Sequence, residues 1–347
     1  MKNIYTYILS FAAVIGLAAG CAKEVTSGPN EANERFMKAW MHVYNQAKGT
    51  DIEPSGLGIY ILEETPGDGA EVTENGYAIV EYVKTDLDGN ISEYTDALTA
   101  KQLGTYSPAS YYGPKVWLTK DETIQAGLQD ALVGMKAGGR RKVIVPSWLM
   151  TYSTYGSAAE YLKHSSDYAN TIYDLTVKDF TESIDEWQIE AIKDYIGTPD
   201  TFTNDTTGFY FKREGTLPDD AKEFSKDTSI YINYTGKLLN GLVFDTTSER
   251  TAKEEDIYDP AKTYEPVKIN WSESAGGITM GSSSSSVISG FARTLWKMRY
   301  VPDSEYRDKC IGIFTSSFGY GYSGSGSSIP GYAPLIFEIE VVDKPED

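Results

Sequence analysis

Ile230 to Asp245 reads IYINYTGKLLNGLVFD. Ile230, Ile232 and Tyr234 alternate with Tyr231, Asn233 and Thr235, the period of two that marks a β-strand. Asn240-Gly241 supplies the residue pair best able to take positive φ in a tight hairpin. Leu242 to Phe244 start the return strand and Asp245 follows. The expected product is a hairpin with a tyrosine on one strand and a Phe-Asp pair on the other.

The same plan occurs earlier in the chain. Tyr77 to Lys84 (YAIVEYVK) reads as a strand and runs into Asp88-Gly89-Asn90. Tyr82 pairs with Tyr234, and Gly89 with Gly241, at one shared offset of 152 positions. Gly58-Ile59-Tyr60-Ile61 matches Gly208-Phe209-Tyr210-Phe211, and Thr171 to Val177 parallels Leu335 to Val341 as closing strands. A helical stretch precedes each copy. In Glu31 to Tyr44, Phe36, Trp40 and Tyr44 fall on one face; Ile184 to Ile196 carries Trp187, Ile192 and Tyr195. Repetition of several elements in one order argues for a duplicated module.

The expected architecture is α+β. Two modules, 34–180 and 184–347, each have a leading helix and a twisted antiparallel sheet wrapped on a short helix. The short helices are expected at Ala126 to Val133 and at Gly290 to Met298, and Thr203 to Thr207 reads as a polar loop.

The composition narrows the chemistry. A net charge of −19 argues against a nucleic-acid partner, which needs a basic patch. The 26 tyrosines against 12 phenylalanines favour strands with half-exposed aromatic surfaces. Two histidines, His42 and His164, and two cysteines, Cys21 and Cys310, are far apart and match no metal-ligand spacing. Neither a metal nor another cofactor is expected. Asp86 to Asn90 has the look of a calcium-loop fragment, but the later ligands are missing at their spacing, and a hairpin turn explains it better.

The N-terminus reads as an address. Lys2, an apolar run densest from Phe11 to Leu17, and Leu17-Ala18-Ala19-Gly20-Cys21 form a signal-peptide pattern over 1–20. The LAAGC ending resembles the lipobox of bacterial lipoproteins, which implies acylation of Cys21. The expected mature protein hangs by lipid from a bacterial membrane, the outer one, facing the periplasm or the cell surface. Residues 21–33 would be a tether, and Cys310 a small buried apolar residue.

The tyrosine, the glycine turn and the Phe-Asp pair together resemble the signature of the FKBP-type peptidyl-prolyl cis-trans isomerases. The resemblance spans about 230 to 342. Val287-Ile288-Ser289-Gly290-Phe291 resembles the family's approach to its helix, and Ile313 to Gly321 the strand that ends in a tyrosine. Ile329-Pro330 resembles the Ile-Pro segment, and Leu335 to Val341 the last strand. The departures are a long stretch at about 248–284, which includes Ser282 to Ser286, and an extra piece at Tyr300 to Glu305; either could partly cover the pocket.

In the first module, Gly127 to Leu132 and Arg140 to Val143 resemble the family's helix and following strand. Tyr82, Leu128, Tyr155 and Tyr173 would form a weak pocket. The Phe-Asp pair is missing after Gly89, and the Ile-Pro element is absent from Ser157 to Asn170. This copy is expected to be structural or catalytically weak.

The resemblance implies a prolyl isomerase that assists folding of exported proteins, with proline-containing polypeptides as partners. Tyr234, Phe244, Ile288, Phe291 and Phe337 would wall the proline pocket, with Val287 beside them. Tyr320 would donate its hydroxyl to a substrate carbonyl, Asp245 would orient the pocket and face the twisted imide, and Ile329 would cap it. The rival is a non-catalytic lipoprotein that binds peptide or glycan on the same scaffold. A weaker third reading is a structural lipoprotein that assembles with envelope partners; a homo-oligomer stays open.

Overall fold

The computed structural model describes residues 30–164, 168–197 and 201–345. The signal peptide 1–20, Cys21 and most of the 21–33 tether lie outside the described residues. Helix α1 begins at Glu31, inside the stretch expected as tether, and runs to Lys48.

The first sheet is built from β1 (Tyr60–Thr65), β2 (Tyr77–Thr85), β3 (Ile91–Tyr94), β4 (Lys115–Leu118), β5 (Arg140–Val145) and β6 (Thr171–Thr181). Its order is β1-β5-β6-β2-β3, with β4 also paired to β2, and all pairs are antiparallel. Short helices α2 (Ala97–Leu103), α3 (Ala126–Leu132) and α4 (Ala158–Tyr161) complete this unit.

The second sheet follows helix α5 (Ile184–Ile196). It uses β7 (Thr203–Thr206), β8 (Phe209–Arg213), β9 (Ser229–Leu238), β10 (Val243–Thr246) and β11 (Val267–Asn270). The strands β12 (Thr279–Met280), β13 (Ser285–Ser286), β14 (Lys309–Phe314) and β15 (Leu335–Val342) complete it. Its order is β13-β12-β11-β9-β15-β14-β8-β7, with β10 on β9. Helix α6 (Glu249–Glu254) follows β10, and α7 (Ser289–Trp296) lies against the sheet.

The two sheets share one plan: β8, β14, β15, β9, β10 and β11 repeat β1, β5, β6, β2, β3 and β4. Even the register repeats. Val80 faces Lys115 and Ile232 faces Val267, both at the offset of 152. The Tyr82 amide donates to Thr95 Oγ1 at 2.9 Å, and the Tyr234 amide to Thr247 Oγ1 at 2.9 Å.

This register corrects the expected insertion at 248–284. Its helix α6 and strand β11 have counterparts in α2 and β4. The excess is the β12–β13 hairpin, which extends the sheet edge at β11. The other extra piece, from Tyr300, packs away from the pocket: Tyr300 bridges Lys222 and stacks on Phe224 at 5.1 Å.

Three local expectations also change. Thr203–Thr206 is strand β7, not a loop, because its backbone pairs with β8. On α1 the fully buried side chains are Met37 and Met41; Phe36 is 56% exposed, and Trp40 and Tyr44 stack on each other at the rim. On α5 the buried face is Ile184, Gln188 and Ile192, with Tyr195 outside. The stripe of large rings misled because flexible methionines filled the gap against the sheet instead.

The leading helices fasten to equivalent points. Asn33 on α1 donates to Ser147 Oγ at 3.0 Å, just past β5. Gln188 on α5 donates to Ser316 Oγ at 3.0 Å, just past β14, and accepts from the Ser316 amide. Cys310 is buried on β14, where burial, ahead of the Asp308 charge, pushes its thiol pKa up.

Each short helix approaches its sheet through a glycine. A Cβ on Gly127 would sit 2.4 Å from Val145, and one on Gly290 would sit 2.4 Å from the Phe314 ring. Both neighbours are fully buried, so neither can move aside cheaply. Gly127→Ala and Gly290→Ala should therefore each cost about 1–3 kcal/mol through overpacking. Urea unfolding checks this, and an unchanged midpoint in both variants would contradict the close approach.

Candidate functional site

The site grows out of the hairpin β9–β10. The β9 strand presents Tyr234 towards α7, and Gly241 makes the turn at φ +90°. A bulge between Val243 and Asp245 turns Phe244 and Asp245 to the same cavity as Tyr234. Gly236 allows this packing, since a Cβ there would sit 2.5 Å from the Phe244 ring.

The cavity measures about 370 Å³. All nine residues expected in the second pocket line it: Tyr234, Phe244, Asp245, Val287, Ile288, Phe291, Tyr320, Ile329 and Phe337. The sequence reading missed Met280 and Ser286, on the β12–β13 hairpin, and Ser325 and Ser328, on the loop after Tyr320. The Ser282 to Ser286 stretch gave a partial sign of the hairpin. Nothing in the sequence marked the two loop serines as facing inward.

The floor is aromatic. Phe291 meets Phe337 edge-on at 4.9 Å, Tyr234 meets Phe291 at 5.5 Å, and Phe244 meets Phe337 at 5.6 Å. T-shaped pairs of this kind add to the stabilisation from burial alone. Phe291 and Phe337 are buried, while Tyr320 is exposed at the rim.

One charge sits in this apolar setting, and it is tethered. The Tyr234 hydroxyl donates to Asp245 Oδ2, and Lys262 Nζ contacts Asp245 Oδ1. Lys262 also donates to the Thr246 carbonyl at 3.0 Å. It reaches the site from the stretch between α6 and β11, which the sequence reading treated as an insertion. Burial first, and the Asp245 charge second, push the Tyr234 hydroxyl well above the ordinary tyrosine range. The same two causes raise Tyr320.

The first unit has a wider cleft of about 770 Å³. Tyr82, Leu128 and Tyr173 line it as expected, with Leu128 in the place of Phe291 and Tyr173 in that of Phe337. Tyr155 does not. It stacks on His164 at 4.0 Å and meets Tyr161 edge-on, while Tyr152 and Tyr168 line the cleft instead.

The missing Phe-Asp pair is also corrected in part. Glu93 stands at the position of Asp245 and accepts from the Tyr82 hydroxyl at 3.1 Å. A glutamate one methylene longer replaces the aspartate, and Ser92 replaces the phenylalanine. Burial pushes the Glu93 carboxyl up, but the Lys84 ammonium at 2.6 Å, the Tyr82 hydroxyl and Lys115 more than offset it and leave the pKa lowered. Asp86, by contrast, closes the hairpin turn: it accepts from the Asp88 and Asn90 amides at 2.9 Å each.

These tyrosines give a titration signature. Burial is the first cause of the raised pKa of Tyr82, Tyr173 and Tyr234. A pKa raised on folding leaves stability untouched below the unfolded value, near 10, and removes it as pH climbs beyond. A spectrophotometric alkaline titration should show a late class of tyrosines that ionises only as the fold is lost. A single reversible transition of all tyrosines near pH 10, with the fold intact, would contradict this burial.

No family model matches the chain. Among curated proteins it is similar to a probable FKBP-type peptidyl-prolyl cis-trans isomerase of Haemophilus influenzae, 29% identical over 119 residues, or 34% of this chain and 36% of that one. It is also similar to the human peptidyl-prolyl cis-trans isomerase FKBP9, 23% identical over 91% of this chain and 42% of that one. In both, the match spans less than half of the relative's own length. A solved structure of the three FKBP domains of wheat FKBP73 covers 83% of this chain and 95% of its own at 15% identity, with a TM-score of 0.27. The chain is thus similar to FKBP-type peptidyl-prolyl cis-trans isomerases, and the motif order, the sheet-on-helix topology and the aromatic pocket agree with that likeness.

Proposed function

We propose that this chain is a peptidyl-prolyl cis-trans isomerase whose working pocket is the aromatic cavity of the second unit. The observation that carries the reading is the convergence of Tyr234, Phe244, Phe291, Phe337 and Ile329 on one small cavity with Tyr320 at its rim. Rotation about a prolyl bond faces a barrier of about 18–20 kcal/mol, set by amide resonance. Lowering it needs no nucleophile and no metal. The twisted imide is less polar than the planar one, so a dry aromatic pocket favours it. Groups that bind the twisted form better than the flat one then accelerate the turn.

The residues divide this work. Phe291 and Phe337 form the floor for the prolyl ring, with Phe244 and Ile329 at its sides. The Tyr320 hydroxyl, protonated at neutral pH, donates to a substrate carbonyl. Asp245 orients Tyr234 and turns a carboxylate towards the imide, with its charge shared with Lys262. The first unit keeps the tyrosine–carboxylate pair but has Leu128 for Phe291 and Ser92 for Phe244, which supports a weaker role in catalysis.

The chain would act on exported polypeptides from a lipid anchor at Cys21, outside the cytoplasm. Among the described residues no helix is long and apolar enough to cross a membrane. The anchor therefore has its own test: mass spectrometry of protein extracted from membranes should find residue 21 as an acylated N-terminus. An intact leader or an unmodified cysteine would remove the anchor and leave the isomerase reading standing.

The enzyme reading is tested by proline-limited refolding of an unfolded protein and by a short prolyl peptide. The full chain should accelerate both. Tyr320→Phe removes one hydrogen bond, about 0.5–1.5 kcal/mol, and should lower kcat/KM roughly 2–10-fold. Asp245→Ala should lower it further while the fold is kept. A well-folded sample that gives no acceleration over buffer would leave a binding protein on an isomerase scaffold.

A further inference from the structure

The loop after β14 has two faces. Tyr320, Ser325, Ser328 and Ile329 line the second-unit pocket, whereas Tyr322 and Tyr332 line the first-unit cleft. The loop is fixed in place. The Tyr332 amide donates to the Gly321 carbonyl at 2.8 Å, and the Tyr111 amide of the first unit donates to the Ser327 carbonyl at 2.8 Å. Tyr77 meets Tyr332 edge-on at 5.4 Å. One loop is therefore a wall common to both cavities. Tyr320 and Tyr322 are two positions apart, so their Cα atoms lie within about 7 Å.

The first cleft differs from the second pocket in size and lining. It has about twice the volume of the second pocket, 770 Å³ against 370 Å³, and has Leu128 where the other has Phe291. Its rim leaves large rings in water: Tyr152 is 47% exposed, Tyr168 48% and Tyr322 77%. Exposed aromatic surface gathered around one concavity marks a binding site. Tyrosine rings stack on varied side chains, and their hydroxyls serve backbone amides, so they recognise polypeptide with little sequence demand. The charged groups in the cleft are already engaged, Lys84 with Glu93 at 2.6 Å. That leaves little for an anionic ligand.

We propose that the first cleft binds an extended, aromatic-bearing stretch of unfolded polypeptide, next to the prolyl bond that the second pocket receives. The identity of the adjoining stretch rests on the prolyl reading of the second pocket; the cleft as a peptide site does not. Two linked contacts raise the effective concentration of the prolyl bond at its pocket without any new contact there. The degenerate unit is then the holding site of the pair.

The test uses the full chain and calorimetry. A blocked, proline-free hexapeptide with two phenylalanines should bind one site, and a short prolyl peptide should not displace it. Tyr152→Ala and Tyr322→Ala, one from each unit and both at exposed positions, should each weaken binding at least tenfold. A longer peptide that joins the two sequences should bind at least tenfold tighter than either part. No binding of the hexapeptide, its full displacement by the prolyl peptide, or unchanged affinity in both variants would overturn the cleft as a peptide site. Binding of a neutral oligosaccharide there in place of the hexapeptide would assign the cleft to glycans and overturn it equally. Hexapeptide binding without any gain from joining would overturn the shared occupancy alone. Loss of the isomerase reading would leave the hexapeptide result standing.

Discussion

The close approach of helix α7 to strand β14, open only because residue 290 is glycine, sets the geometry of the second unit. With no side chain between them, the helix lies against the Phe314 ring. Phe291, the next residue, then comes down on Phe337 and closes the bottom of the cavity. Phe314 in turn stacks on Phe337 at 5.9 Å. The pocket floor is thus an extension of the core, held by the same packing that holds the sheet. A rigid floor suits a site that must prefer one shape of a substrate over another.

The first unit keeps the frame and changes the contents. Gly127 repeats the close approach, Tyr82 and Glu93 repeat the tyrosine–carboxylate bond, and the strand order is the same. Leu128 and Ser92 then replace the two rings that would narrow the cleft. The cavity widens, and tyrosines from both units surround it. Duplication has left one unit with a tight aromatic pocket and the other with a broad tyrosine-lined cleft, joined by a loop that belongs to both.

Much of this was legible in the sequence, for a physical reason. Strand alternation, the Asn-Gly turn and the shared offset between Tyr82 and Tyr234 are local or additive signals, and they located the sheets and the hairpins; the nine pocket residues followed from the resemblance to the FKBP-type signature along 230–342. What escaped depends on partners distant in sequence. Glu93 falls on Asp245 at the same offset of 152, but its bond to Tyr82 depends on the register of β3 on β2, and the neighbouring Phe that would have marked the position is gone. Lys262 enters the site from a stretch with no pattern of its own. Tyr155 looked like a pocket tyrosine beside its glycine, yet the segment before β6 folds so that it stacks on His164. The roles of Tyr322 and Tyr332 depend on how two units meet, and no single-unit pattern carries that.

The central claim is that the second-unit cavity receives a prolyl ring and eases rotation about its bond. Exchange spectroscopy by NMR on a short prolyl peptide tests it most directly, because it reads interconversion at equilibrium with no coupled reaction. Added in substoichiometric amount, the full chain should raise the cis–trans exchange rate in proportion to its concentration, and the aromatic resonances of Phe291 and Phe337 should respond to the peptide. Exchange that stays at the uncatalysed rate, about one event per 10–100 s, beside a folded chain whose Phe291 and Phe337 signals do not move would contradict it.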